Sequence, residues 1–282
     1  MNKKCFQNHI GPWMIYPGWL SAAVAAVKSG TWQPQAQADT EADTGAGKYV
    51  VVDGLGLLRI EGAMMKGYSK FGGASTVAAR QAVRAMAADE SIRSIVLSIE
   101  SPGGTVAGTQ ELADDVSAAN KKKPVYAYIE DLGASAAYWI AASSRRVFAN
   151  SLAMVGSIGT LAVIEDTSKA AELAGVKVHV ISTGEFKGAF TDGTPVTESQ
   201  LANVQGIVDD INTHFLAAVA EGRGMKMSDV KAAATGQLYM AKDAKKLGLI
   251  DSVESFDSAM EYVRSKMPTP KRNTAEARIR QR

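Results

Sequence analysis

Apolar residues recur along the chain in short blocks whose period switches repeatedly between two and about 3.6. Tyr49-Val-Val-Val52 predicts a strand, and Leu57-Leu-Arg-Ile-Glu61 its continuation or partner. Gly62 to Gly73 is glycine-rich and predicts a loop. Ser75 or Thr76 caps an expected helix reaching about Ala88, with Val77, Val83 and Met86 among its apolar positions. Ile95-Val-Leu-Ser-Ile99 is a continuous apolar run, the pattern of a strand buried on both faces of a parallel sheet. A helix over Thr105 to Ala119, a strand over Val125 to Ile129, a helix beginning near Ser135 and a strand over Arg146 to Ala149 follow. Val155 to Ile164, Asp166 to Ala174 and Lys177 to Ile181 read as strand, helix and strand. Beyond them the pattern is mostly helical. Thr197 caps a long amphipathic helix to about Glu221, with Glu198 and Gln200 in its first turn, and Ser228 to Ala234 and Ala241 to Leu247 form shorter helices. Strands alternating with helices at this spacing predict an α/β layered fold with right-handed crossovers. No internal repeat is present.

Composition narrows the picture. With 282 residues and 46% hydrophobic content the chain can bury one large α/β core with appendages. Residues 31–47 hold almost no large apolar side chain and predict a linker. The expected organisation is an N-terminal arm and linker over 1–47, a body over 48–266 and a basic disordered tail over 267–282. Met1-Asn-Lys-Lys4 resembles the start of a signal peptide, but Gly11, Pro12, Pro17 and Gly18 break the apolar stretch after it. We therefore expect neither a cleaved signal nor a membrane anchor, and a cytoplasmic chain. Trp13, Trp19 and Trp32 anchor the arm onto the body or a neighbouring subunit; the alternative is a loosely held helix from Pro17 to Lys28 with no task beyond packing. A net charge of +2 gives no argument for nucleic acid. Cys5 is the sole cysteine, which excludes an intrachain disulfide and a cysteine-based metal cluster. Lys121-Lys-Lys-Pro124 reads as a solvated turn.

Three short motifs carry candidate chemistry. Ser101-Pro-Gly-Gly104 follows the Ile95–Ile99 strand, where two glycines let a ligand approach backbone N–H groups without a Cβ in the way. With a helix starting near Thr105, Gly104 N–H is the first choice for an oxyanion donor; an ordinary strand-to-helix turn is the alternative. Ser135 stands among Gly133, Ala134, Ala136 and Ala137, small neighbours that let a substrate backbone pass. It is a candidate nucleophile, with Ala136 N–H as second oxyanion donor, or simply a helix cap. Lys187, flanked by Phe186, Ala189 and Phe190, becomes a general base if an apolar pocket desolvates it, and is otherwise a surface lysine. A serine, a lysine and a glycine turn are the parts of a hydrolase that needs no histidine, metal or cofactor. The histidines offer less: His179 falls in an alternating strand and His214 on the long helix. No Walker loop, dinucleotide fingerprint, HExxH or metal-spaced carboxylate cluster occurs.

The set resembles the signal peptide peptidase A family of Ser-Lys dyad peptidases, which includes bacteriophage capsid maturation proteases. The resemblance runs from about Val50 to Val263. It is carried by Ile99-Glu-Ser-Pro-Gly-Gly104, Ala134-Ser-Ala-Ala-Tyr-Trp-Ile-Ala-Ala142, Met154-Val-Gly-Ser-Ile-Gly159, Gly184-Glu-Phe-Lys-Gly188, Gly222-Arg-Gly224 and Ala241-Lys-Asp-Ala-Lys-Lys-Leu-Gly-Leu-Ile-Asp251. It implies a crotonase-like (Clp protease-like) spiral with a helical C-terminal part, Ser135 as nucleophile, Lys187 as general base and Gly104 as oxyanion donor. It also implies a ring-shaped homo-oligomer in which the lysine comes from the same or a neighbouring protomer. Ala136-Ala137 departs from the Gly-Gly that many members carry after the serine. The arm, the linker and the lack of a membrane anchor resemble the phage or prophage branch, which implies a capsid or scaffold protein substrate inside a prohead. A signal-peptide-peptidase-like peptide degrader and a non-catalytic assembly protein of the same fold are the alternatives.

Overall fold

The computed structural model describes residues 12–29, 48–67 and 73–269. The linker, most of the basic tail, Cys5, His9 and Trp32 lie outside the described residues. In chain order the elements are β1 (Trp13–Ile15), α1 (Pro17–Ser29), β2 (Tyr49–Val52), β3 (Leu55–Glu61), β4 (Met64–Met65), β5 (Ala74–Ser75), α2 (Thr76–Ala88), β6 (Ser94–Ser101), β7 (Gly103–Thr105), α3 (Thr109–Lys122), β8 (Val125–Ala134), α4 (Ala136–Ala142), β9 (Arg146–Ala149) and β10 (Met154–Gly156). Then come α5 (Ser168–Leu173), α6 (Glu198–Arg223), α7 (Met227–Ala233), β11 (Leu238–Met240), α8 (Ala241–Lys246), β12 (Ser252–Val253) and α9 (Phe256–Ser265).

The α/β expectation holds. The main sheet runs β11-β10-β8-β6-β3-β2, with β9 on β8 and β12 on β9; a small sheet runs β1-β7-β4-β5. The chain winds in a repeated unit: a long parallel strand for the main sheet, a short strand for the small one, then a helix. β3, β4 and α2 form one turn of this spiral, and β6, β7 and α3 the next. In the third turn β8 runs straight into α4, and Ser135 is the single residue between them.

Burial explains the apolar run at 95–99. Ile95, Leu97 and Ile99 pack into the large core under α2, α3 and α4, while Val96 faces a second cluster closed by Ala259, Met260 and Val263 of α9. Each such side chain is fully buried and stabilises the fold by roughly 1.5–3 kcal/mol. Ser75 caps α2, accepting from Ala78 N–H at 3.2 Å, and Thr197 with Gln200 forms a capping box on α6, as their sequences predict.

Three expectations are corrected. The helix expected from Thr105 starts at Thr109, because Gly103–Thr105 is a strand pairing with β1 and β4. Residues 177–181 alternate like a strand but have no partner strand among the described residues, and the strand expected over Val155 to Ile164 is only Met154–Gly156. The C-terminal part is mostly helical as expected, with two short strands, β11 and β12, added to the main sheet.

Candidate active site

Ser135 is 1% exposed and sits at φ +54°, ψ −120°. For a side chain with a Cβ that conformation costs on the order of 1–3 kcal/mol, and such strain collects at functional sites. The capping role left open by the sequence is not taken, since the Ser135 side chain makes no capping hydrogen bond. Its N–H donates to Gly156 O at 2.7 Å, and its hydroxyl lies 3.5 Å from Gly159 O. The segment 156–159 therefore forms one wall beside the serine. Its motif was legible in the sequence, but its contact with Ser135 was not.

The opposite wall is the Ser-Pro-Gly-Gly turn. Ser101 Oγ donates to Gly62 O at 2.7 Å and accepts from Gly103 N–H at 3.2 Å, which shapes the turn. Gly103 has φ +97°, and a Cβ there would stand 2.9 Å from Ser135 Cβ and 2.2 Å from Met14 O. A Cβ on Gly104 would stand 1.8 Å from Met64 O. Both glycines are needed for close backbone approach, one toward the serine and one toward β4. The turn thus lies beside Ser135. The helix expected to begin near Thr105 starts at Thr109 instead. Ala136, buried, is the first residue of α4, where N–H groups lack intrahelical partners.

Glu100 was not singled out from the sequence. Its carboxylate accepts from Asp131 N–H at 2.6 Å and Leu132 N–H at 3.1 Å, where the register between β6 and β8 shifts. It holds the irregularity that leads β8 up to Ser135. Behind the serine, Trp139 stacks on Phe215 of α6 with centroids 5.0 Å apart, and Tyr138 Oη donates to Leu249 O at 2.8 Å. Burial pushes the Tyr138 phenol well above its ordinary value, so it stays a donor.

Lys187 lies on an exposed turn while Ser135 is buried, and among the described residues no hydrogen bond joins the two. The expected desolvating pocket does not form here: Phe186 is 47% exposed, and Ala189 and Phe190 are half-buried. His179 and His214 are both exposed. No group of three or more metal-ligating side chains occurs among the described residues.

The fold is a mixed α/β spiral that presents a strained, buried serine between two glycine-bearing walls. Residues 117–267 match peptidase family S49, and the chain belongs to that family of serine proteases, which includes signal peptide peptidase A. It is 32% identical over 172 residues to a putative protease of Methanocaldococcus jannaschii, covering 61% of this chain and 55% of that protein. It is 26% identical over 253 residues to capsid assembly protease C of Escherichia phage lambda, covering 86% of this chain and 56% of that protein. The chain thus spans about half the length of these relatives. A solved enoyl-CoA hydratase/isomerase family member aligns with TM-score 0.46 and 14% identity, over 77% of this chain and 72% of that one.

Proposed function

We propose that this chain is a serine endopeptidase with Ser135 as nucleophile, Lys187 as general base, and Gly104 and Ala136 N–H groups as oxyanion donors. The observation that carries the reading is the strained Ser135 turn pressed against Gly103. Ser135 Oγ attacks the peptide carbonyl as its proton passes to the neutral Lys187 amine. The two N–H groups hold the resulting oxyanion. The C–N bond breaks, Lys187 returns the proton to the leaving amine, and an ester remains on Ser135. Water then attacks the ester, giving its proton to Lys187, which hands it to Ser135 Oγ as the acid leaves. No step calls for a metal or cofactor.

Lys187 reaches Ser135 of a neighbouring copy in a ring-shaped homo-oligomer. This reading is supported by its exposure and by the exposed apolar side chains in the same stretch of chain: Leu173 is 90% exposed, Ile181 99% and Val163 69%. The substrate is read as a capsid or scaffold protein, a choice supported by the match to the phage lambda capsid assembly protease across most of the chain. No helix among the described residues is long and apolar enough to cross a membrane.

The test is a mixing experiment. Ser135→Ala and Lys187→Ala are each expected to abolish peptide cleavage with unchanged circular dichroism. Mixed in equal amounts through dissociation and reassembly, they should regain about a quarter of the wild-type rate, the share of sites joining an intact serine to an intact lysine. Full activity in either single variant refutes the dyad; no recovery on mixing refutes the shared site.

A further inference from the structure

The strand β1 lies across the serine. Trp13, Met14 and Ile15 are 8%, 0% and 1% exposed. On one side they pair antiparallel with β7, Trp13 facing Thr105, Met14 facing Gly104 and Ile15 facing Gly103. On the other side Trp13 exchanges both hydrogen bonds with Leu161, at 2.7 and 2.9 Å. These flanks are continuous with the two walls that touch Ser135, and Met14 O and Ser135 Cβ both lie within 2.9 Å of the same point above Gly103. Tyr16 N–H donates to Pro102 O at 2.7 Å; the alternation of an antiparallel ladder then makes Met14 and Gly104 a hydrogen-bonded pair. The Gly104 N–H nominated for an oxyanion thus faces the carbonyl oxygen of Met14.

A three-residue strand held between two backbone edges, its side chains buried on both faces, is how an extended peptide binds by strand addition. The rest of the segment is lightly held: in α1, Ala23 is the one buried side chain among those described. We propose that Trp13-Met14-Ile15 fills the channel for the substrate strand, that this channel takes extended peptides with large apolar side chains at consecutive positions, and that the N-terminal segment must leave before substrate binds. The proposal rests on the peptidase reading for the meaning of "substrate", and on the pairing above for the occupied channel. A tethered occupant competes at an effective concentration on the order of millimolar, so it suppresses binding in trans without tight contacts.

Two variants test it, each read by hydrolysis of an internally quenched peptide containing Trp-Met-Ile and by fluorescence polarisation of a labelled, uncleaved copy. Met14→Asp places a charge in a fully buried position and should expel the strand, raising both rate and affinity about tenfold or more. Trp13→Cys with Thr105→Cys, in a Cys5→Ser background, joins a directly facing non-hydrogen-bonded pair, whose Cα separation of about 4.5 Å suits a disulfide. The oxidised form should bind and cleave about tenfold less than the same protein after reduction. If M14D fails to fold, the lock decides alone. Binding that follows the lock while neither form cleaves upholds the occupied channel and sinks the peptidase reading. Cleavage and binding that ignore the lock overturn the proposal and leave the peptidase standing.

Discussion

At the residue scale, strain and function coincide at one position. Ser135 adopts φ +54°, ψ −120° where its N–H donates to Gly156 O, and Gly103, lacking a Cβ, leaves room for its side chain. Glycine enters that region without the penalty a Cβ brings. Ser135→Gly is therefore expected to abolish cleavage and raise stability by about 1 kcal/mol, read as a higher midpoint in urea. Ser135→Ala keeps the Cβ and should leave the midpoint near wild type. A lower midpoint for the glycine variant would mean the turn is not strained. The serine's identity as a candidate was legible from its small neighbours, as was Gly104 from the glycine pair. The strain was not, because it arises from segments far apart in sequence. Glu100 escaped notice for the same reason: its partners are Asp131 and Leu132.

Element by element, propensity predicted whatever was decided locally. The caps at Ser75 and Thr197 need only neighbours three residues away, and both formed. The Thr105 helix start failed because β1 and β4 recruit Gly103–Thr105 as a strand, a tertiary pairing that overrides local preference. The segment carrying Lys187 depends on Asp166. Its carboxylate accepts from the Ser168 hydroxyl at 2.6 Å, from Val196 N–H at 3.0 Å and from Ser168 N–H at 2.9 Å. These bonds, led by the Ser168 hydroxyl, lower its pKa from the ordinary 3.8 to about 2. A depressed carboxylate pKa contributes stability above the unfolded value and loses it as pH falls through the folded one. The tie between 166–168 and 196 should hold at neutral pH and loosen between about 4 and about 2. Asp166→Asn should loosen it at neutral pH, seen as faster amide exchange in α5. Cleavage should fall several-fold while the global unfolding midpoint stays put, since α5 buries no side chain. Unchanged exchange in α5 would show that Asp166 is not the fastener.

For the whole molecule, the core and the outlying segment behave differently. The main sheet is closed over by helices, with Trp139 stacked on Phe215 and Arg223 paired to Asp251 at 2.8 Å. From Val163 to Ile207 the chain instead exposes large apolar side chains: Leu173, Val176, Ile181, Phe186 and Ile207 among them. A surface of this kind marks an association site. Residues 177–181 carry the alternation of a strand without a partner strand among the described residues, and in the proposed ring a neighbouring copy would supply that edge. Ile181→Asp and Leu173→Asp should lower the mass found by light scattering and reduce cleavage together. Each is nearly fully exposed in one chain, so monomer folding should be unaffected. An unchanged mass with full activity would place the interface elsewhere.

Periodicity, caps and short motifs were enough to specify the α/β class, most helices and the central strands, because those depend on residues within one turn or one strand of each other. They also marked Ser135, Gly104 and Lys187 as chemically suited to a hydrolase. Tertiary structure alone decided that Gly103 and Gly156 would flank the serine, that β1 would lie across it, and that Ser135 would be buried while Lys187 lies exposed. Those outcomes are set by pairing between segments tens of residues apart, where one backbone edge meets another, and no local pattern encodes which edges will meet.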